Sequence, residues 1–117
     1  MTSSVTLVTG ATGLVGNNVV RMLLGRGEAV RVLAREGCDP RPLAGLPVEV
    51  ALGDVRNCES VRGACRGVTR VVHAAGHVHI GWTGLALQRA INVEGTRHVA
   101  AAAHEAGARM VDRKSVV

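Results

Sequence analysis

Apolar positions along the chain follow two spacings: short continuous runs, and recurrences every three or four residues. "SVTLV" is β-branched, apolar and bounded by glycine, which predicts a buried strand. In "GLVGNNVVRMLLGRG", Val15, Val19 and Leu23 fall on one helical stripe with Val20 and Leu24 beside it, while Asn17, Asn18 and Arg21 fall away from it. A helix is predicted there, with Gly27 as its left-handed stop. "AVRVLAR" predicts a second strand, "GCDPRPLAGLP" a turn-rich connection with room for one short helical turn, and "VEVALGD" a third strand. "NCESVRGACRG" reads as a short helix with Asn57 as its N-cap, and "VTRVVHAAG" as a fourth strand. "HVHIGW" is a loop by elimination. A long helical pattern then runs from about Thr83 to His104, with Leu85, Ile91, Val99 and Ala103 among its apolar positions. Gly107 stops it, and "ARMV" begins a fifth strand.

Strands alternating with helices predict an α/β fold, with parallel strands joined by right-handed crossovers. No internal repeat and no linker interrupts the series. A chain of 117 residues is one domain by length, and 47% apolar residues argue against disorder. Ala, Val and Gly dominate, and Trp82 is the one aromatic residue.

The formal net charge of +5 raises nucleic acid as a partner. The arginines at 21, 26, 31, 35, 41, 56, 62 and 66 are scattered, with no run and no aromatic interleaving, so nucleic acid is not expected. Cys38, Cys58 and Cys65 make an odd count without metal spacing, which reads as a reduced, cytoplasmic protein. Cys58 and Cys65, seven apart on a short helix, are expected on one core-lining face. The first residues lack a basic region followed by a long apolar run, so no signal peptide is expected. No stretch approaches a membrane span, and no membrane partner is expected.

The chemistry sits in "VTGATGLVG". Gly10, Gly13 and Gly16 mark the turn from the first strand into the first helix. A pyrophosphate docked there needs a sharp turn, a backbone it can approach without a Cβ in the way, and a helix lying close to the strand. Glycines at these points meet all three needs, and the helix N-terminus offers free N–H donors and the positive end of its dipole. The strand before, the helix after and a second strand from Ala29 supply the context the motif requires.

The spacing is T-G-x-x-G-x-x-G, and with it the chain resembles the extended short-chain dehydrogenase/reductase family, the NAD(P)-dependent epimerase/dehydratase group. Four further stretches carry the resemblance, which covers residues 4 to 111: "VRVLAR", "GDV" at 53–55, "VVHAAG" at 71–76 and "INVEGTRHVAAAAHEAG". Within the family the chain looks most like dihydroflavonol-reductase-like and sugar-epimerase-like members. The resemblance implies a Rossmann-type sheet in the order 3-2-1-4-5. It implies cofactor contacts from Gly10, Ala11, Thr12, Gly13, Leu14, Val15 and Gly16, adenine contacts from Asp54 and Val55, and a segment beneath the nicotinamide ribose at Ala74, Ala75 and Gly76. It gives Asn92 a supporting role at the active site through backbone and water contacts. Gly95, in mid-helix, suggests close packing against a neighbour.

The cofactor is read from the end of the second strand. An NAD enzyme usually has an acidic group there for the ribose 2′-OH. Here Arg35 stands instead, and a guanidinium pairs well with a 2′-phosphate, so NADP is expected. Glu36, next in the chain, keeps NAD open. His73 is expected at a strand end, His77 and His79 on a loop that could face substrate, and Trp82 packed under the long helix. No carboxylate or Cys completes a ligand set with these histidines, so no metal is expected.

The family's reaction depends on a Tyr-x-x-x-Lys pair and a serine after the fifth strand. This chain has no tyrosine, and its one lysine is Lys114. Residues 1–111 are therefore read as the N-terminal part of an NAD(P)-binding domain, expected inactive alone, with the small-molecule substrate bound by a longer parent. Residues 112–117, "DRKSVV", are read as a non-native tail. GATCGGAAGAGCGTCGTG encodes that peptide in frame and begins a common sequencing adapter whose next triplet is a stop. The alternative of another class is a non-catalytic module that binds the dinucleotide and senses it. A fifth strand left as an apolar edge invites self-association, a homodimer included.

Overall fold

A computed structural model describes residues 4–74 and 85–112, with backbone alone for 85–93 and 111–112. The elements are β1 (Val5–Thr9), α1 (Leu14–Gly25), β2 (Ala29–Ala34), a 3-10 turn (Arg41–Leu43), β3 (Glu49–Leu52), α2 (Cys58–Ala64), β4 (Arg70–His73), α3 (Leu85–Glu105) and β5 (Arg109–Asp112). This is the alternation expected from the spacing of apolar residues. All five strands are parallel, in the order β3-β2-β1-β4-β5. The fold is the Rossmann-type sheet that the resemblance implied.

A parallel sheet is covered on both faces, so each central strand must be apolar in both directions. Leu7, Leu33 and Val71 point to one side and meet Val61, Ala64, Cys65 and Val68 from the α2 region and Val99, Ala102 and Ala103 from α3. Val8, Val30 and Val32 point to the other side and meet Val20 and Leu23 of α1. Truncating any of the fully buried aliphatic side chains removes contacts that nothing else can supply. Leu7→Ala is expected to cost about 2–5 kcal/mol.

Two helical turns end as glycine chemistry demands. Gly27 follows α1 at φ +77° and Gly107 follows α3 at φ +72°, a left-handed region costly for any residue with a Cβ. The side chain of Asn57 accepts from the N–H groups of Glu59 and Ser60, capping α2 as expected. The C-terminal end of α2 is held by an arginine from the sheet. Arg31 projects from β2, pairs with Glu49 of β3, and donates to the carbonyls of Ala64 at 2.8 Å and Arg66 at 2.6 Å. These carbonyls have no partner further along the helix.

Three expectations change. Val15 is exposed, and the buried stripe of α1 is Gly16, Val20 and Leu23. Val15 lies in the first turn of α1, beside the glycine loop that leaves β1 at Thr9, and the buried side chains of the helix come further along it. Asn17 does not simply face solvent. Its side-chain amide donates to the carbonyls of Ala11 at 3.2 Å and Pro42 at 2.8 Å, tying α1 to the loops on either side. Cys58 and Cys65 do not share a core face: Cys65 is buried and Cys58 is exposed. The helix proper is only Cys58–Ala64, so its first residue sits at the solvent end and Cys65 closes the other end against the core.

Ala75, Gly76, His77, His79, Trp82 and the loop "HVHIGW" lie outside the described residues, as do the side chain of Asn92 and, in the tail read as non-native, everything beyond Asp112. Among the described residues, no helix is long and apolar enough to cross a membrane.

Candidate functional site

In a doubly wound sheet, ligands bind beyond the C-terminal ends of the strands, where the crossovers diverge to opposite faces. Here that point lies between β1 and β4, and the loop leaving β1 is the glycine motif. Its three glycines have three different physical reasons. Gly10 takes φ +70°, and its carbonyl accepts from the N–H of Gly13 at 3.1 Å to close the turn. Gly16 is fixed by packing: a Cβ there would stand 2.0 Å from the Gly10 carbonyl oxygen. Gly13 has neither reason. Its φ is −85°, and among the described residues a Cβ would meet only the Gly10 oxygen at an ordinary 3.5 Å. The described residues would tolerate a Cβ at 13, so the space above it is available to something else.

That space lies at the start of α1, which has no acidic residue in its first turn and no side-chain cap among the described residues. Its first N–H groups are therefore available to an anion, and nothing local opposes negative charge. Leu14 is 81% exposed and Val15 is 41% exposed. Thr12 is exposed too, whereas Ala11 is buried against the core beneath the loop. Of the residues expected to contact a cofactor here, Gly13, Leu14 and Val15 present open surface, while Ala11 and Gly16 shape the loop from below.

A cleft of about 480 Å³ opens at the ends of β2 and β3. It is lined by Arg35, Glu36 and Cys38 on one side and by Asp54, Arg56 and Ser60 on the other. The strand ends are pinned together where Gly53 N–H donates to the Ala34 carbonyl at 2.9 Å. Gly53 is itself required by packing, since a Cβ would stand 2.7 Å from that of Ser60. The Ser60 hydroxyl accepts from the N–H of Asp54 at 3.0 Å, holding the loop from 53 to 57.

Asp54 is turned onto Arg56. Its two oxygens accept from the Arg56 guanidinium at 2.7–3.2 Å, and Oδ1 also accepts from the Arg56 N–H at 2.9 Å. The bonds to Arg56 hold the Asp54 carboxyl below its usual range, partial desolvation works against them, and the Arg35 charge adds a smaller pull in the same direction. The next residue, Val55, is gripped by α3. Gly95 approaches so closely that a Cβ would lie 2.8 Å from Val55 Cγ2, which is the close packing expected of that glycine. His98 Nδ1 lies 2.7 Å from the Val55 carbonyl oxygen. A carbonyl only accepts, so Nδ1 carries the proton.

Between the glycine loop and the last residues of β4 lies a buried polar junction. His73 is 2% exposed at the end of β4, as expected of a strand end. Its Nδ1 lies 2.7 Å from the Thr9 hydroxyl of β1 and its Nε2 lies 3.1 Å from the Thr96 hydroxyl of α3. The imidazole thus joins two strands and a helix immediately beneath Ala74. No role for Arg56, Ser60, His98, Thr9 or Thr96 was legible in the sequence. Thr9 opens the glycine motif and Thr96 and His98 lie in the stretch of the long helix, but only the fold brings these side chains to their partners at the strand ends. Among the described residues, no group of three or more His, Cys, Asp or Glu is placed to hold a metal ion.

This arrangement has relatives. The chain is 47% identical over 106 residues to sterol demethylase protein B of Methylococcus capsulatus, covering 91% of this chain and 32% of that protein. It is 37% identical over 100 residues to a putative dihydroflavonol 4-reductase of Synechocystis, covering 86% of this chain and 29% of that protein. The chain thus spans about a third of the length of these curated relatives. Among solved structures, the Bordetella bronchiseptica enzyme WbmG in complex with NAD and UDP superposes with a TM-score of 0.79 at 28% identity, over 92% of this chain and 36% of that one. The Thermus thermophilus UDP-glucose 4-epimerase complex with NAD gives 0.76 at 29% identity, over 88% of this chain and 34% of that one. Residues 6–116 match the family model, and the chain belongs to the NAD dependent epimerase/dehydratase family.

Proposed function

We propose that this chain carries the dinucleotide-binding part of an NADP(H)-dependent reductase, epimerase or dehydratase acting on a carbonyl compound or a nucleotide sugar. One observation carries the reading: among the described residues nothing in conformation or packing requires glycine at 13, yet it stands at the start of α1. A pyrophosphate seated there accounts for it, because a Cβ would occupy the volume the phosphate needs. The N–H groups of the first turn of α1 would hold the pyrophosphate. The cleft would take the adenosine end, with Asp54 and Val55 against the base and Arg35 against the 2′-phosphate. Ala74, Ala75, Gly76 and Asn92 belong to the nicotinamide side of the same reading.

The bound dinucleotide supplies hydride transfer; this chain's residues bind and orient it. Acid–base work in the family falls to a tyrosine and a lysine, and these 117 residues hold no tyrosine. The chain by itself is expected to show no oxidation of NADPH with aldehydes, ketones or nucleotide sugars, and clear turnover from the purified chain would contradict this assignment. The preference for NADP rests on Arg35. Arg35→Asp should weaken NADP more than NAD in calorimetric titrations, by about tenfold in the ratio, the size of effect expected when a charge-assisted pair becomes a like-charge contact. An unchanged ratio would refute the role of Arg35 and leave NAD as the cofactor.

A further inference from the structure

The cleft that would receive the 2′-phosphate is not simply basic. Among the described residues, its lining carries two cations, Arg35 and Arg56, and two anions, Glu36 and Asp54. A doubly charged phosphate gains little from a lining whose charges cancel evenly. The arrangement of the pairs therefore matters more than their sum.

Asp54 has two positive neighbours within electrostatic reach, Arg56 and Arg35. It is committed to one of them. The Arg56 guanidinium forks onto both carboxylate oxygens, with Nη2 at 2.7 Å from Oδ2, and the Arg56 N–H anchors Oδ1 at 2.9 Å. The two residues are only two positions apart in a loop already held by Ser60 and by the Asn57 N–H, which donates to the Asp54 carbonyl at 2.9 Å. The fork is thus formed locally, before any ligand arrives. Forked guanidinium–carboxylate pairs are the strong form of this contact. With Asp54 neutralised in this way, Arg35 keeps its charge for an incoming anion.

We propose that Arg56 is a specificity-determining residue for the 2′-phosphate, acting by taking Asp54 away from Arg35 and not by touching the phosphate. This rests on the assignment of the cleft to the adenosine end of NADP. Without Arg56, Asp54 would turn its charge on Arg35, and the lining would carry one net negative charge against a phosphate. NAD, which lacks that phosphate, would be far less affected. The preference for NADP is in this view written in two places, at the end of β2 and in the loop after β3, and the second is an acid whose charge has been masked.

The test is the ratio of NAD to NADP dissociation constants, by calorimetry on the 117-residue chain, with a thermal melt to confirm that each variant is folded. Arg56→Leu should lower the preference for NADP about three- to tenfold, the scale of one added charge a few ångström away in a solvent-exposed cleft. Arg56→Lys, which keeps the charge and loses the fork, should keep most of the preference. Adding Asp54→Asn to Arg56→Leu should restore it, since the unmasked charge is then gone. The Arg56→Leu effect should shrink in 1 M salt, where the screening length is about 3 Å. If Arg56→Leu does not fold, Asp54→Asn alone decides: it frees Arg56 and should raise the preference for NADP, and an unchanged or lower preference overturns the proposal. Equal weakening of both dinucleotides by Arg56→Leu would overturn it too, leaving Arg56 a support for the loop. Arg35→Ala separates the two levels. If it leaves the ratio unchanged, the assignment of the cleft itself fails. If it lowers the ratio while Arg56→Leu does not, only the masking role fails.

Discussion

In the proposed reading the glycine loop and the cleft beside it each hold a phosphate, and they would do so by opposite means. The loop from Gly10 to Gly16 uses backbone alone: one left-handed residue, one forbidden Cβ, one open space and the start of a helix. The cleft uses side chains, with two arginines, two acids and a serine arranged so that one acid is already engaged. Backbone donors are fixed by the fold and have no alternative partners. Side-chain charges must be kept from neutralising one another. The loop would therefore serve any dinucleotide alike, whereas the proposed choice between cofactors falls to the cleft.

The contrast can be broken most severely in the loop. Gly16→Val places carbon about where the Gly10 carbonyl oxygen stands, so helix and loop must separate. Overpacking of this kind costs about 3 kcal/mol or more, and the cooperative thermal transition should be lost or displaced far downward. A melt like that of the original chain would contradict the close approach of α1 to the loop. Beside the cleft, Gly95 of α3 presses on Val55, the residue between Asp54 and Arg56 of the lining. Gly95→Ala gains about 1 kcal/mol of helix propensity but meets Val55 too closely. A net loss of about 1 kcal/mol is expected, with a midpoint about 4–8 °C lower. A raised midpoint would show that Val55 yields freely and that the loop is not gripped.

Smaller changes sharpen the picture. Asn57→Ala removes the cap that orients α2 beneath the cleft, at about 1 kcal/mol, measurable as a shifted denaturant midpoint with an unchanged slope. Acidification probes the masked acid itself. Asp54 sits below its usual range when folded, so its pairing contributes stability above its unfolded value of about 3.9, and that contribution is lost as the pH falls through the lower folded value. Asp54→Asn should therefore flatten the fall in stability between pH 5 and 3 slightly. An identical fall in both chains would mean that the Asp54–Arg56 pair contributes nothing measurable.

The fold was legible because its signals are local and repeated. Val5 to Val8, Val30 to Leu33 and the caps at Asn57, Gly27 and Gly107 each announce an element in a few residues. The glycine loop was legible for the same reason. Gly95 could be read as a packing glycine, but its neighbour Val55 lies forty residues away and no spacing names it. Val15 matched a helical stripe and is nevertheless exposed, because periodicity gives a face and says nothing of where the sheet beneath it ends. Arg56 looked like one scattered arginine among many; its engagement of Asp54 depends on a turn that only the three-dimensional loop defines. Backbone-determined features are written in residue types, and charge pairing is written in geometry.

The central claim is that the space over Gly13 is kept for a pyrophosphate. Gly13→Val tests it directly, because among the described residues a Cβ at this exposed N-cap meets nothing closer than the Gly10 oxygen at 3.5 Å, and any loss of stability should stay near the roughly 1 kcal/mol of a poorer cap. Calorimetric titration with NADP should then show affinity reduced by at least about tenfold, the loss of one good set of charge-assisted contacts, in a chain that is still folded. Equal NADP affinity for Gly13→Val and the original chain would contradict the account and leave the glycine loop as a structural turn.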